Sequence, residues 1–156
     1  MLFSENSYKF MYAALQEAET ALSKNEVPIG AVVVYNNRII GKGHNQVESL
    51  KDPTAHAEML AITAASNNLG DKFLLECDLY VTVEPCLMCT GAIINSRITR
   101  LFFGSFEPKF GSCGSIYNIP DQKLFNHHVK VFSGLLSNES ESLMTVFFRS
   151  LRSPNN

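Results

Sequence analysis

The sequence predicts an α/β fold, a sheet covered by helices, and three observations carry that prediction. Two β-rich runs flank an Asn-Asn pair, Ala31-Val32-Val33-Val34-Tyr35 before it and Arg38-Ile39-Ile40-Gly41 after it. Apolar runs of strand length at 79–83, 101–103 and 129–132 then alternate with helix-like segments. Helix-like segments occupy both ends of the chain, by periodicity at the start and by charge order at the end. A hairpin followed by strand–helix alternation is the pattern of a sheet with helices packed on it.

Taken in order, Met11, Leu15, Ala18 and Leu22 recur at helical spacing behind Ser4, a good N-cap, so the first twenty-odd residues read as an amphipathic helix. Asn36-Asn37 suits a tight hairpin turn because Asn tolerates the positive φ such turns need. Asp52-Pro53 offers a helix start, with Asp as N-cap and Pro at the first helical position. That helix is expected to run through His56 to about Asn68 and to end near Gly70. The run at 79–83 reads as a buried strand, after which Pro85 opens a short helix carrying Cys86 and Cys89 to about Asn95. The Gly-rich stretch 104–117 is too long for a plain connector and is a candidate functional loop. The last helix starts near Asn138, with Glu139 and Glu141 at its beginning and Arg149 and Arg152 at its end, an order that suits the helix dipole.

The chain has 156 residues, 46% of them hydrophobic and 18% charged, which is enough to bury a core. One domain over 1–152 and a short tail over 153–156 are expected. No apolar run is long enough to span a bilayer, so no membrane partner is expected. The start, MLFSENSYK, lacks the apolar stretch of a signal peptide. A cytoplasmic location follows as an expectation, and in a reducing compartment the four cysteines are not expected to form disulfides. A net charge of −2 argues against binding nucleic acid through bulk charge. It leaves room for a nucleic acid recognised by shape and a few local cations.

Thr54-Ala55-His56-Ala57-Glu58 and Glu84-Pro85-Cys86-Leu87-Met88-Cys89 carry the chemistry. A Cys-x-x-Cys pair at a helix N-terminus can place both sulfurs on one metal, and that end of the helix favours thiolates. With His56 near another helix start, three ligands of the His/Cys/Cys type can assemble at one edge of the sheet. Three protein ligands leave a fourth position for water, the mark of a catalytic zinc. Cys77 precedes the third strand and Cys86 follows it, about 23 Å apart at ~3.3 Å per residue, so Cys77 belongs at the other end. Cys113, in the long loop, reads as a small semi-buried residue, although distance does not exclude it as a ligand. Glu58 is harder to place: residues two apart on a helix point about 200° from each other. A solvent-facing glutamate competes with a catalytic one, and a redox Cys-x-x-Cys pair competes with the metal site.

The combined signature, His-x-Glu followed by Pro-Cys-x-x-Cys, resembles that of the cytidine deaminase superfamily. The resemblance extends through Glu26-Val27-Pro28-Ile29-Gly30-Ala31, Gly43-His44-Asn45, Asp52-Pro53-Thr54, Ser96-Arg97-Ile98, Gly111-Ser112-Cys113-Gly114-Ser115, Asn126-His127 and Phe147-Phe148-Arg149. Over nearly the whole chain the resemblance is to the bacterial tRNA adenosine deaminases specifically. It implies a three-layer α/β/α cytidine deaminase-like fold around a central mixed five-stranded sheet. It also implies one zinc per subunit on His56, Cys86 and Cys89, with Glu58 as the proton carrier. The implied reaction is hydrolytic deamination of adenosine to inosine at the anticodon wobble position, with release of ammonia.

By the same resemblance, the Ala57 N–H and the Asn45 side chain hydrogen-bond the base. Glu107, Pro108, Lys109, Asn126 and His127 line the channel for the anticodon stem-loop, expected to be that of an arginine tRNA with an ACG anticodon. The family often has Asp where Glu107 stands, and Glu moves the charge by one methylene. Lys109 and Arg149 are candidates for phosphate contact, or ordinary solvated charges. Val27 and Ile29 form an apolar wall for the base, or pack the core. Asn126 and His127 otherwise cap a loop, and His44 and His128 read as structural or exposed. The all-round apolar Cys86 helix points to a homodimer, with a well-covered monomer core as the other reading. A deaminase of free bases and a non-catalytic zinc module that binds nucleic acid are the competing functions.

Overall fold

The structure, a computed structural model, describes residues 2–153; most of the expected tail, 154–156, lies outside the described residues. Helix α1 (Glu5–Ser23) starts at Ser4, whose side chain accepts from the Ser7 N–H. Strands β1 (Gly30–Tyr35) and β2 (Arg38–His44) form the expected hairpin, with Asn36 at φ 48° and Asn37 at φ 60°. Both central residues are left-handed, as a two-residue turn matching the strand twist requires. A one-turn helix α2 (Val47–Leu50) follows, then α3 (Ala57–Leu69), β3 (Asp78–Val83), α4 (Leu87–Asn95) and β4 (Arg100–Ser105). After a long segment containing a 3-10 turn at Ile119–Asp121 come β5 (Lys130–Phe132) and α5 (Ser137–Arg152).

The sheet order is β2-β1-β3-β4-β5. β1 is antiparallel to β2 and β3, while β3, β4 and β5 are parallel. Strand alternation sorts the core into two halves. Val32, Val34, Tyr80 and Phe102 point to one face and meet Phe10, Met11 and Ala14 of α1 and Leu135 before α5. Tyr80 and Phe102, paired in register, stack at 4.5 Å between ring centroids. Ala31, Val33, Leu79, Val81, Leu101 and Phe103 point to the other face, against Ala57, Ala61 and Ala65 of α3 and Ile93 and Ile94 of α4. The result is the three-layer, mixed five-stranded architecture implied by the resemblance. Among the described residues no helix is long and apolar enough to cross a membrane.

Close packing positions the start of α3. Ala57, Ala61 and Ala65 recur every four residues on one stripe and are fully buried. They face Gly41 and Gly43 of β2, where a Cβ would meet the Ala61 carbonyl oxygen at 2.5 Å and that of Ala57 at 2.3 Å. Small residues on both surfaces bring the helix backbone onto the strand, and this sets the depth of residues 56–58.

Two helix starts differ from the sequence expectation. α3 does not begin at Asp52-Pro53. Asp52 accepts from the Thr54 N–H at 2.8 Å and from its hydroxyl at 2.7 Å, closing a local turn, so the N-cap falls four residues later on His56. Asp and Thr side chains commonly offer the backbone this alternative to a helix. Nor does Pro85 open α4. Its carbonyl accepts from Ser112 N–H, and Cys86 is extended and bridged to Gly111, so α4 starts at Leu87 with Cys86 as N-cap. β4 also extends to Ser105, and the long loop therefore begins at Phe106.

Candidate metal centre

Two N-caps build the centre. His56 (φ −76°, ψ 154°) and Cys86 (φ −75°, ψ 176°) are extended, and each lies one residue before its helix. Cys89 sits in the first turn of α4 and is fully buried. His56 Nδ1 is 3.6 Å from Cys86 Sγ and 3.5 Å from Cys89 Sγ, and all three donor atoms lie within 4.8 Å of one another. Zinc at its usual bond lengths to sulfur and imidazole nitrogen sets a tetrahedral S···N edge of about 3.6 Å. The donor set therefore fits zinc in both chemistry and size. Among the described residues the group holds these three donors, and three protein ligands with a fourth position left for water is the pattern of catalytic zinc sites.

Electrostatics at the cluster follow from its mutual hydrogen bonds and its burial. Hydrogen bonding from Cys89 lowers the Cys86 thiol to about 4, helped by the His56 ring against the opposing effect of burial. Hydrogen bonding to Cys86 and burial push Cys89 up. The other two cysteines behave differently. Burial raises Cys77 to about 11 and Cys113 to about 12. Cys77 precedes β3, at the opposite end from Cys86, and the Cys113 sulfur lies 3.3 Å from Thr90 Oγ1. Neither belongs to the donor group.

Glu58 is not solvent-facing. It is 3% exposed, and its Oε2 lies 3.1 Å from Cys89 Sγ. The helical-wheel objection disappears because His56 is not helical. With an extended N-cap at 56, both the imidazole and the carboxylate two residues later reach the same space. Burial pushes the Glu58 carboxyl above the usual carboxylate range, with the Cys89 hydrogen bond acting in the other direction. An acid–base group works best when its pKa is near the working pH.

Other predicted residues lie on segments linked to this one or on the loop after β4. Ala57 is the first residue of α3, so its N–H has no acceptor within that helix. Asn45 N–H bonds Ile29 O at 3.1 Å and Gln46 N–H bonds Ala55 O at 3.0 Å, which ties Asn45, Ile29 and the His56 turn together. Val27 and Ile29 are partly buried, and Ile29 packs against the core on the α3 side of the sheet. Glu107 is half-buried and bonds the Lys109 N–H with its own carboxylate, while Pro108 and Lys109 are exposed.

Three predicted residues are not brought to the metal by this chain. His127 Nε2 is 2.6 Å from the Ile98 carbonyl oxygen. Ile98 precedes β4, whose Arg100 pairs with Asp78 at the far end of β3. Asn126 is exposed beside it. Arg149 lies on α5, across the sheet from α3 and α4, on an exposed groove shared with Asn138, Glu141 and Thr145.

Sequence reasoning missed two buried carboxylates. Glu26, 1% exposed, accepts from Glu48 N–H, Ser49 N–H and the Ser49 hydroxyl, and so pins α2 beside Asn45. Glu84, 3% exposed, holds the loop that follows β4. The available signal was, for Glu84, an acidic residue closing the apolar run 79–83 just before Pro85; Glu26, behind the polar Ser23-Lys24-Asn25, carried no comparable signal.

The fold and the cluster together define a zinc deaminase of the cytidine deaminase class. Residues 4–105 match the cytidine and deoxycytidylate deaminase zinc-binding region, and the chain belongs to that family. Within it, the chain is 49% identical over 143 residues to the tRNA-specific adenosine deaminase of Aquifex aeolicus (strain VF5), covering 92% of this chain and 94% of that one. It is 46% identical to the tRNA-specific adenosine deaminase of Bacillus subtilis (strain 168), covering 92% and 89%. It is also similar to a solved tRNA:A34 deaminase, studied for A-to-I editing at the wobble position of transfer RNA. That match has 44% identity, a TM-score of 0.84, and coverage of 86% of this chain and 98% of that one. A guanine deaminase from Nitrosomonas europaea shares the fold at 25% identity and a TM-score of 0.79, covering 90% and 83%.

Proposed function

We propose that this chain is a tRNA-specific adenosine deaminase, converting adenosine at the anticodon wobble position to inosine and releasing ammonia. The carrying observation is a buried carboxylate, Glu58, 3.1 Å from the ligand sulfur of Cys89 but outside the three-donor group. The choice of tRNA over a free base is supported by the relatives, at 45–49% identity for the tRNA enzymes against 25% for the guanine deaminase.

His56, Cys86 and Cys89 would hold the zinc, which would supply the Lewis acidity that makes water a nucleophile near neutral pH. The chain's own residues do the rest. Glu58 takes one proton from the attacking water and delivers it to the adenine ring nitrogen, then takes the second from the hydroxyl newly formed on C6 and delivers it to the amine, which leaves as ammonia. A carboxyl group suits this because it both accepts and donates. The Ala57 N–H and the Asn45 amide orient the base, and Val27 and Ile29 wall it. Glu107, Pro108 and Lys109 face the neighbouring nucleotides, with Lys109 and Arg149 toward phosphate. Asn126 and His127 meet the tRNA away from the metal. A loop base enters such a pocket without the cost of opening a duplex. The substrate proposed is the arginine tRNA with an ACG anticodon, in the cytoplasm.

The test is an anticodon stem-loop carrying ACG, beside free adenosine, guanine and cytosine. Inosine at the first anticodon position, formed one-to-one with ammonia, is the expected result. Ammonia from free bases with no inosine in the stem-loop overturns the reading. We further propose a homodimer through α4, supported by Leu87 at 56% exposure beside partly buried Met88, Gly91 and Ala92. Sedimentation should show a dimer for the parent chain and a monomer for Leu87→Glu; a parent that sediments as a monomer removes this proposal.

A further inference from the structure

The loop that follows β4 is organised by one side chain. Glu84 Oε1 accepts from Glu107 N–H at 2.9 Å and from the Ser115 hydroxyl, while Oε2 accepts from Cys113 N–H and Ser115 N–H, each at 3.0 Å. All four partners are donors, and an ionised carboxylate is purely an acceptor. The chain passes so close that a Cβ on Gly111 would lie 2.3 Å from the Glu84 carboxylate. Two backbone links extend the unit to the metal: Ser112 N–H bonds Pro85 O at 2.9 Å, and ligand Cys86 bridges to Gly111.

We infer that Glu84 is a positioning residue for substrate recognition, a clasp that holds residues 107–115 against the metal-bearing turn so that Glu107, Pro108 and Lys109 are presented to the anticodon loop. The inference rests on the proposed tRNA substrate for its functional half only. Among the described residues Glu84 is outside the donor group and its carboxylate hydrogen bonds go to Glu107, Cys113 and Ser115 alone, so its loss acts through the loop. Ligand Cys86 keeps its own anchorage, since Thr90 N–H bonds Cys86 O in α4 whatever the loop does.

Glu84→Gln tests this at constant volume. The amide turns one acceptor into a donor facing N–H groups, which removes at least one charge-assisted bond and opposes another. Hydrogen–deuterium exchange reads the clasp without any substrate: amides of 107–115 should exchange at least about tenfold faster than in the parent, the size expected for losing one such bond. Unchanged exchange there overturns the clasp whatever the enzyme acts on. For function, KM for the ACG stem-loop should rise about tenfold or more, with kcat within about threefold and about one zinc per chain retained. Accelerated exchange with KM unchanged overturns the presenting role, and so does a fall in kcat alone. Ser115→Ala removes one donor and should shift exchange and KM in the same direction by less, which keeps the test open if Glu84→Gln folds poorly. Absence of inosine with the parent enzyme refutes the tRNA reading and with it the presenting role, while the exchange result still decides the clasp.

Discussion

Glu58→Gln is expected to keep its zinc and lose the reaction. The variant should hold about one zinc per chain by elemental analysis, because Glu58 lies beside the donor group and not within it. Its kcat on the ACG stem-loop should fall by about 10³-fold or more, toward the upper end for loss of a positioned acid–base group, or ~4 kcal/mol in the barrier. Glutamine preserves the volume of a side chain that is 3% exposed, so packing around it is retained. Its amide can neither take a proton from water nor hand one to the departing amine. Glu58→Ala should behave the same way in metal content and rate. Activity within about tenfold of the parent, in a variant with full zinc, removes Glu58 from the mechanism.

How this site was legible in the sequence differs from residue to residue. The Asn36-Asn37 turn and the Ser4 cap were readable because both are local: the backbone there is set by residues within three positions. The Cys86–Cys89 spacing was readable for the same reason, whereas His56, thirty residues upstream of Cys86, was joined to it through the combined signature. The helix starts were not readable. Asp52-Pro53 has the composition of an N-terminus, but its side chain is spent on Thr54, and Cys86 is held extended by Gly111, twenty-five positions away. That displacement made Glu58 ambiguous from spacing alone, since a helical His56 and Glu58 diverge whereas a capping His56 does not. Glu84 was unreadable because its partners lie 23 to 31 residues downstream. The same holds for His127, whose partner carbonyl is 29 residues upstream and which therefore belongs to the other end of the sheet. Local chemistry was visible, and contacts between distant segments were not, apart from the His56 and Cys86–Cys89 pairing that the signature implied.

Cys89→Ala should abolish both metal binding and activity, and the accompanying stability loss is the more informative result. Cys89 is fully buried in the first turn of α4, and its sulfur lies 3.5 Å from His56 Nδ1. Zinc bound there would join the start of α4 to the residue capping α3. A metal bound to the folded chain at about 1,000 times its Kd adds ~4 kcal/mol of stability. At 2–4 °C per kcal/mol for a chain of this size, losing it lowers Tm by roughly 10 °C. Chelation of the parent protein should give the same drop. Adding chelator to Cys89→Ala should then change almost nothing, because the metal is already absent. Cys77→Ala is the control: that residue is equally buried but lies at the other end of β3, outside the donor group. It should keep its zinc, its activity and its chelator-sensitive Tm, whatever the cost of the small cavity it leaves. If Cys89→Ala retains a full equivalent of zinc, or if Cys77→Ala loses it, the ligand set is wrong. A chelator-insensitive parent that still deaminates removes zinc from the reaction altogether.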